Sequence, residues 1–177
     1  MPATVLLLGL VLVAATTDLL RHKIYNWTTY PGIVAAMVLN AAGLGVNLAE
    51  RGRVDLWQGV VGFLACGFLM LVCYVLFKVG GGDVKLIAML GAFLGPEGGI
   101  KAMLWTFVLG GCLGLIVLIW RMGPVRITTR AFRQITHTLR LRRWSPLTVE
   151  EREQLQPPLF LAPCALAAVV IVRFGLV

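Results

Sequence analysis

Two aspartates, Asp18 and Asp83, are the residues of this sequence best placed to do chemistry. Of its 8 acidic residues, Glu50, Asp55 and Glu97 fall in short polar connections, and Glu150, Glu151 and Glu153 fall in a basic segment further on. Asp18 and Asp83 instead sit at the ends of apolar runs. A carboxylate at membrane depth is costly, and by default it marks a functional site whose partner should be sought. Two carboxylates held close together cannot both ionise readily, so they share a proton and titrate as a unit. One can act as general base on a water while the other, protonated, polarises a scissile carbonyl. That is aspartyl peptide hydrolysis, with a water between the two acids and neither metal nor cofactor required.

The second aspartate lies in Lys78-Val79-Gly80-Gly81-Gly82-Asp83-Val84-Lys85. Each glycine costs about 1 kcal/mol against alanine inside a helix, so the run is expected to be unwound, bent or pressed against another backbone. Asp83 is thereby presented. No competing motif occurs: there is no H-E-x-x-H, no G-x-S-x-G and no P-loop. His22, between Arg21 and Lys23, reads as part of a topology-setting charge cluster, and His137 as a solvated residue. Cys66, Cys73, Cys112 and Cys164 lie inside apolar segments without C-x-x-C spacing, so they are expected to be small buried side chains and not a metal or disulfide framework.

At 177 residues and 59% hydrophobic, the chain is too apolar for a soluble domain of its size. The expected class is all-α: a polytopic membrane protein of about six transmembrane helices, in a single membrane domain over residues 1–177. Apolar runs predict spans at 3–20, 30–48, 57–77, 86–95, 100–120 and 158–177. The fourth covers only about 15 Å before Pro96, half of a bilayer core, so either its helix begins at or before Asp83 or the glycine run is drawn into the membrane. Gly110 and Gly114 give the fifth a small-xxx-small spacing suited to close helix packing. No basic residue precedes the first run, which argues against a cleaved signal peptide.

A formal charge of +8 is compatible with nucleic-acid binding, but the 16 Lys and Arg fall between apolar runs, the pattern set by membrane topology. With the N-terminus outside, only Arg51, Arg53 and Lys101 lie on the outer side. Arg173 lies within the last span, and the remainder face the cytoplasm together with Asp18 and Asp83. Residues 121–156 form a basic cytoplasmic loop containing Arg126, Arg130, Arg133, Arg140, Arg142 and Arg143. It reads either as an amphipathic surface held by anionic lipid or an acidic partner, or simply as a loop obeying the positive-inside rule. Thr148-Val149-Glu150-Glu151 has capping-box form and predicts a short helix to about Leu155.

Gly80-Gly81-Gly82-Asp83-Val84-Lys85-Leu86 resembles the GxGD signature of the type IV prepilin peptidases. Asp18-Leu19-Leu20-Arg21-His22-Lys23-Ile24-Tyr25-Asn26-Trp27 is similar to their first-aspartate motif, with Tyr25 standing where that motif has proline. The resemblance covers residues 10 to about 115, and more loosely the last span. It implies an aspartyl endopeptidase of the bacterial inner membrane that removes the leader of prepilins or pseudopilins at the cytoplasmic face, in type IV pilus assembly or protein secretion. Asp18 and Asp83 would be the catalytic pair. Gly80 and Gly82 would permit close backbone approach, and Lys85 and Asn26 would shape the site or bind substrate. The resemblance is to the short, peptidase-only branch associated with tight-adherence pili, without N-methylation. Membrane lipid and a pilus or secretion assembly partner are the other expected contacts, and the basic loop suits these better than it suits a basic leader.

Two further readings use the same residues. In a small proton-coupled transporter, Asp18 and Asp83 would form a relay continued by Asn40, Asn47 and Thr106. A non-catalytic assembly protein would leave the glycine-aspartate run without purpose.

Overall fold

The computed structural model describes residues 2–21, 23–48, 52–77, 79–122 and 161–174. It is all-helical apart from one two-residue hairpin. The elements are α1 (Pro2–Arg21), α2 (Asn26–Ala41), β1 (Asn47–Leu48), β2 (Gly52–Arg53), α3 (Leu56–Phe77), α4 (Gly81–Met122) and α5 (Leu161–Arg173). Three of these, Pro2–Arg21, Leu56–Leu76 and Gly81–Val117, are long and apolar enough to cross a membrane, and α5 is a shorter apolar helix. The protein is therefore a polytopic membrane protein. One compact unit comprises Met1–Leu109 and Phe160–Val177; in the second, Gly110–Leu159, the described residues are the last part of α4.

The first stretch of α4 is the centre of the first unit. Every residue from Leu86 to Leu94 is buried, and the largest of them are Phe93, Leu86, Ile87, Met89, Leu90 and Leu94. A helix apolar all round must be surrounded on all sides, and the short run preceding Pro96 is such a helix. α2 meets it at Gly32, where a Cβ would collide with Met89 Sδ. α3 meets it at Gly62, where a Cβ would collide with the Gly91 carbonyl. Between apolar helices in lipid, association depends on such van der Waals contact and on buried hydrogen bonds, so missing side chains at the contact allow the backbones to touch.

The end of this buried stretch is closed by Asn40. Pro96 has no N–H, so the Ala92 carbonyl lacks its ordinary helical donor. Asn40 Nδ2 donates to Ala92 O at 2.9 Å instead, from the last turn of α2. Gly95 then breaks the helix at φ 71°, a conformation that favours glycine. α4 is thus two helices joined across a kink at Gly95, matching the division between the spans predicted at 86–95 and 100–120, and the first of them begins at Gly81, before Asp83.

The second predicted span ends earlier than its hydropathy implied. α2 stops at Ala41, and Gly43 turns the chain with φ 69°. Asn47 and Leu48, expected inside the span, pair with Arg53 and Gly52 in the hairpin. The Asp55 carboxylate then starts α3 by accepting the Gln58 N–H at 2.7 Å, an N-cap that satisfies a first-turn donor. Cys66 and Cys164 are buried as expected, but Cys73 is half-buried and Cys112 is exposed. Cys112 lies in the apolar stretch Gly81–Val117, long enough to cross a membrane, where an exposed side chain need not be polar. Most of the basic segment 121–156, the helix expected after Thr148, and His22 and His137 lie outside the described residues.

Candidate active site

Asp18 occupies a core position of α1. The buried residues of that helix are Ala3, Leu7, Val11, Ala14, Ala15 and Asp18, so steps of three and four lead from the apolar stripe directly to the carboxylate. Asp18 is 7% exposed, whereas its neighbours Leu19 and Leu20 face outward. Its Oδ2 accepts a hydrogen bond from the Ala162 N–H, at 3.2 Å, in the first turn of α5.

Asp83 is the third residue of α4. The chain folds back on itself there: the Asp83 and Val84 amides donate to Gly80 O at 3.0 and 3.4 Å, so Gly80 stands at the start of the helix with the Asp83 carboxyl beside it. A Cβ at Gly80 would lie 2.9 Å from Asp83 Oδ2, so a larger residue there would make the carboxyl shift. The half-buried carboxyl of Asp83 lies within electrostatic reach of Asp18. The end of α1 and the start of α4 thus carry the two acids within electrostatic reach of each other. The Cys164 thiol in α5 also lies close enough to interact with Asp18.

The connection between α1 and α2 is pressed onto the first turn of α4. A Cβ at Gly82 would sit 3.0 Å from Ile24 Cβ. Lys85 Nζ donates to Asn26 Oδ1 at 2.8 Å and lies 4.9 Å from the centre of the Tyr30 ring. Tyr25, which precedes α2, has φ −80° and ψ 137°. That φ is within the range proline imposes, so tyrosine keeps the same extended backbone at this point. Its hydroxyl accepts from Arg21 Nη1 at 3.0 Å. Of the six residues singled out from the sequence, Asn26, Gly80, Gly82, Asp83 and Lys85 thus cluster where the connection before α2 meets the first turn of α4, and Asp18 lies within electrostatic reach of Asp83.

The polar residues that would continue a proton relay are otherwise engaged. Asn40 caps Ala92, Thr106 Oγ1 donates to Ala102 O of its own helix at 2.7 Å, and Asn47 is exposed in β1. Among the described residues, no group of three or more His, Cys, Asp or Glu side chains could hold a metal ion.

Residues 5–115 match the type IV leader peptidase family. The chain belongs to that family. The matched stretch includes both aspartates, the glycine run, Asn26 and Lys85. A prepilin leader peptidase/N-methyltransferase of Myxococcus xanthus is 32% identical over 126 residues, covering 66% of this chain and 36% of that protein. Another protein of that description, from Stutzerimonas stutzeri, is 35% identical over 95 residues, covering 50% of this chain and 30% of its own length. The alignments thus take in about a third of these relatives. No solved structure matches the chain.

The leader peptidase family match ends well before α5, so the residue that touches Asp18 from that helix, Ala162, lies outside it. Nothing in the sequence singled Ala162 out. Pro163 beside it is a helix-start signal that could have placed a first turn there, though not its partner.

Proposed function

We propose that this protein is a membrane aspartyl endopeptidase that removes the N-terminal leader of a prepilin or pseudopilin at the cytoplasmic face of the bacterial inner membrane. The observation that supports the reading is that the buried Asp18 carboxyl and Asp83, each at a helix end, lie within electrostatic reach of each other inside the stretch that matches the leader peptidase family. In the reaction, one carboxylate takes a proton from water as the oxygen adds to the scissile carbonyl carbon. The other carboxyl gives its proton to the carbonyl oxygen. The tetrahedral intermediate then collapses with C–N cleavage, the departing amine taking up the proton from the first carboxyl while a hydroxyl of the intermediate returns its proton to the second. No metal or cofactor takes part. The chain crosses the membrane six times, with the N-terminus outside and Gly95 dividing two of the crossings.

The test is co-expression with a prepilin in membranes that lack their own leader peptidase. The expected result is a shortened pilin whose new N-terminus, read by sequencing, follows the basic leader, with processing unaffected by chelators. A prepilin that keeps its leader at wild-type enzyme levels would exclude the reading.

A further inference from the structure

We propose that the first turn of α5 belongs to the catalytic apparatus, the main-chain N–H of Ala162 positioning the Asp18 carboxyl for reaction. The proposal rests on the peptidase reading of Asp18 and Asp83 given above.

Asp18 has left water, at 7% exposure, and one of its oxygens accepts the Ala162 N–H at 3.2 Å in a buried hydrogen bond between distant parts of the chain. The donor is available because first-turn N–H groups have no acceptor within their own helix. The positive end of the α5 dipole adds to the preference for a carboxylate at this place. The next residue, Pro163, has no N–H to offer, while its fixed φ suits a first turn.

The position of this donor is set by the length of α5 packed against α1. The two helices run antiparallel: at one end Ala162 meets Asp18, and at the other Arg173 Nε donates to Thr4 Oγ1 at 3.4 Å. Between them, Ala165, Ala168, Val169 and Val172 of α5 and Leu7, Val11 and Ala14 of α1 are buried. A carboxyl at the end of a helix can rotate about its side-chain bonds. A donor held by a packed helix fixes that rotation, which is the preorganisation an acid/base pair around one water needs. Ala162 is thus a positioning residue, acting through Asp18.

The test uses the full chain in membranes and a purified prepilin as substrate, with kcat and KM measured separately. Ala162→Pro deletes the N–H at a helix position where proline is tolerated, and Ala162→Gly keeps it. Loss of a hydrogen bond to a charged group predicts a fall in kcat of about 10- to 100-fold for Ala162→Pro, with KM changed by less than about twofold. Ala162→Gly should restore at least about a tenfold higher kcat than Ala162→Pro. Equal kcat values for the two variants would overturn the proposal. Should Ala162→Pro fail to insert, replacing Ala162 by its α-hydroxy acid removes the N–H with no change of shape, and an unimpaired kcat in that ester would overturn it equally. Should Asp18→Asn remain active, the peptidase reading falls and the proposal with it. Should Asp18 be required while Ala162→Pro cleaves normally, only the assignment of Ala162 falls.

Discussion

The Lys85 ammonium donates a 2.8 Å hydrogen bond to Asn26 Oδ1, tying the first turn of α4 to the first residue of α2. Lys85 is two residues from Asp83, and Asn26 begins the helix that follows the one carrying Asp18, so the bond ties the element carrying Asp83 to α2. The Tyr30 face beside the ammonium adds a cation–π contact, and the Gly82 approach to Ile24 closes the same junction from the other side.

Lys85→Met should therefore destabilise the protein by about 1 to 2 kcal/mol, since it removes a charge-assisted hydrogen bond and a cation–π contact together. A double-mutant cycle with Asn26→Ala, read by thermal unfolding in detergent, should give a coupling energy of at least about 0.5 kcal/mol. Strict additivity would show that the two side chains act independently.

Gly80→Ala should be a selective loss of activity. The new Cβ would lie 2.9 Å from Asp83 Oδ2, so the carboxyl must turn away from its folded-back position. A misplacement of this kind predicts a fall in leader removal of about 10- to 100-fold, with membrane insertion and unfolding temperature close to wild type. Normal processing by this variant would mean that the contact between Gly80 and the Asp83 carboxyl has no part in catalysis.

Asn40→Ala should do the reverse. It strips the Ala92 carbonyl of the donor that replaces the missing Pro96 N–H, at the end of the buried helix remote from Asp83. Leaving a buried carbonyl unsatisfied predicts a loss of about 1 to 3 kcal/mol in stability. Asn40 Oδ1 is buried without a hydrogen-bond partner, which offsets part of what its amide contributes. Processing by folded Asn40→Ala enzyme should be unchanged. A variant of full stability that no longer processes would instead place Asn40 on a functional polar path.

The sequence made much of this arrangement legible, for identifiable reasons. The helical spacing of Leu7, Val11, Ala14 and Asp18 puts the acid on the inward stripe, and the glycine run announces an unusual backbone before Asp83. Hydropathy was a poorer guide to helix ends. The apolar residues after Ala41 continue the pattern of a span, yet Gly43 and the hairpin pairing of Asn47 with Arg53 decide where the helix stops. The run preceding Pro96 looked too short for a span by itself, and its helix begins earlier, at Gly81, as one of the two alternatives for Asp83 required, before the kink at Gly95. The Ala162 contact with Asp18 was not legible because the donor is a main-chain N–H, which every residue but proline possesses. Only the packing of α5 on α1 selects that one.

The measurement closest to the central claim is leader removal by Asp18→Asn and Asp83→Asn, each compared with wild type at matched membrane levels on the same co-expressed prepilin. Asparagine preserves side-chain shape and removes the titratable carboxyl, so neither variant can supply its half of the proton transfers. Both should insert normally and leave the prepilin uncut. Normal processing by either variant would contradict the account, because a carboxylate pair with one member dispensable is not the catalytic pair.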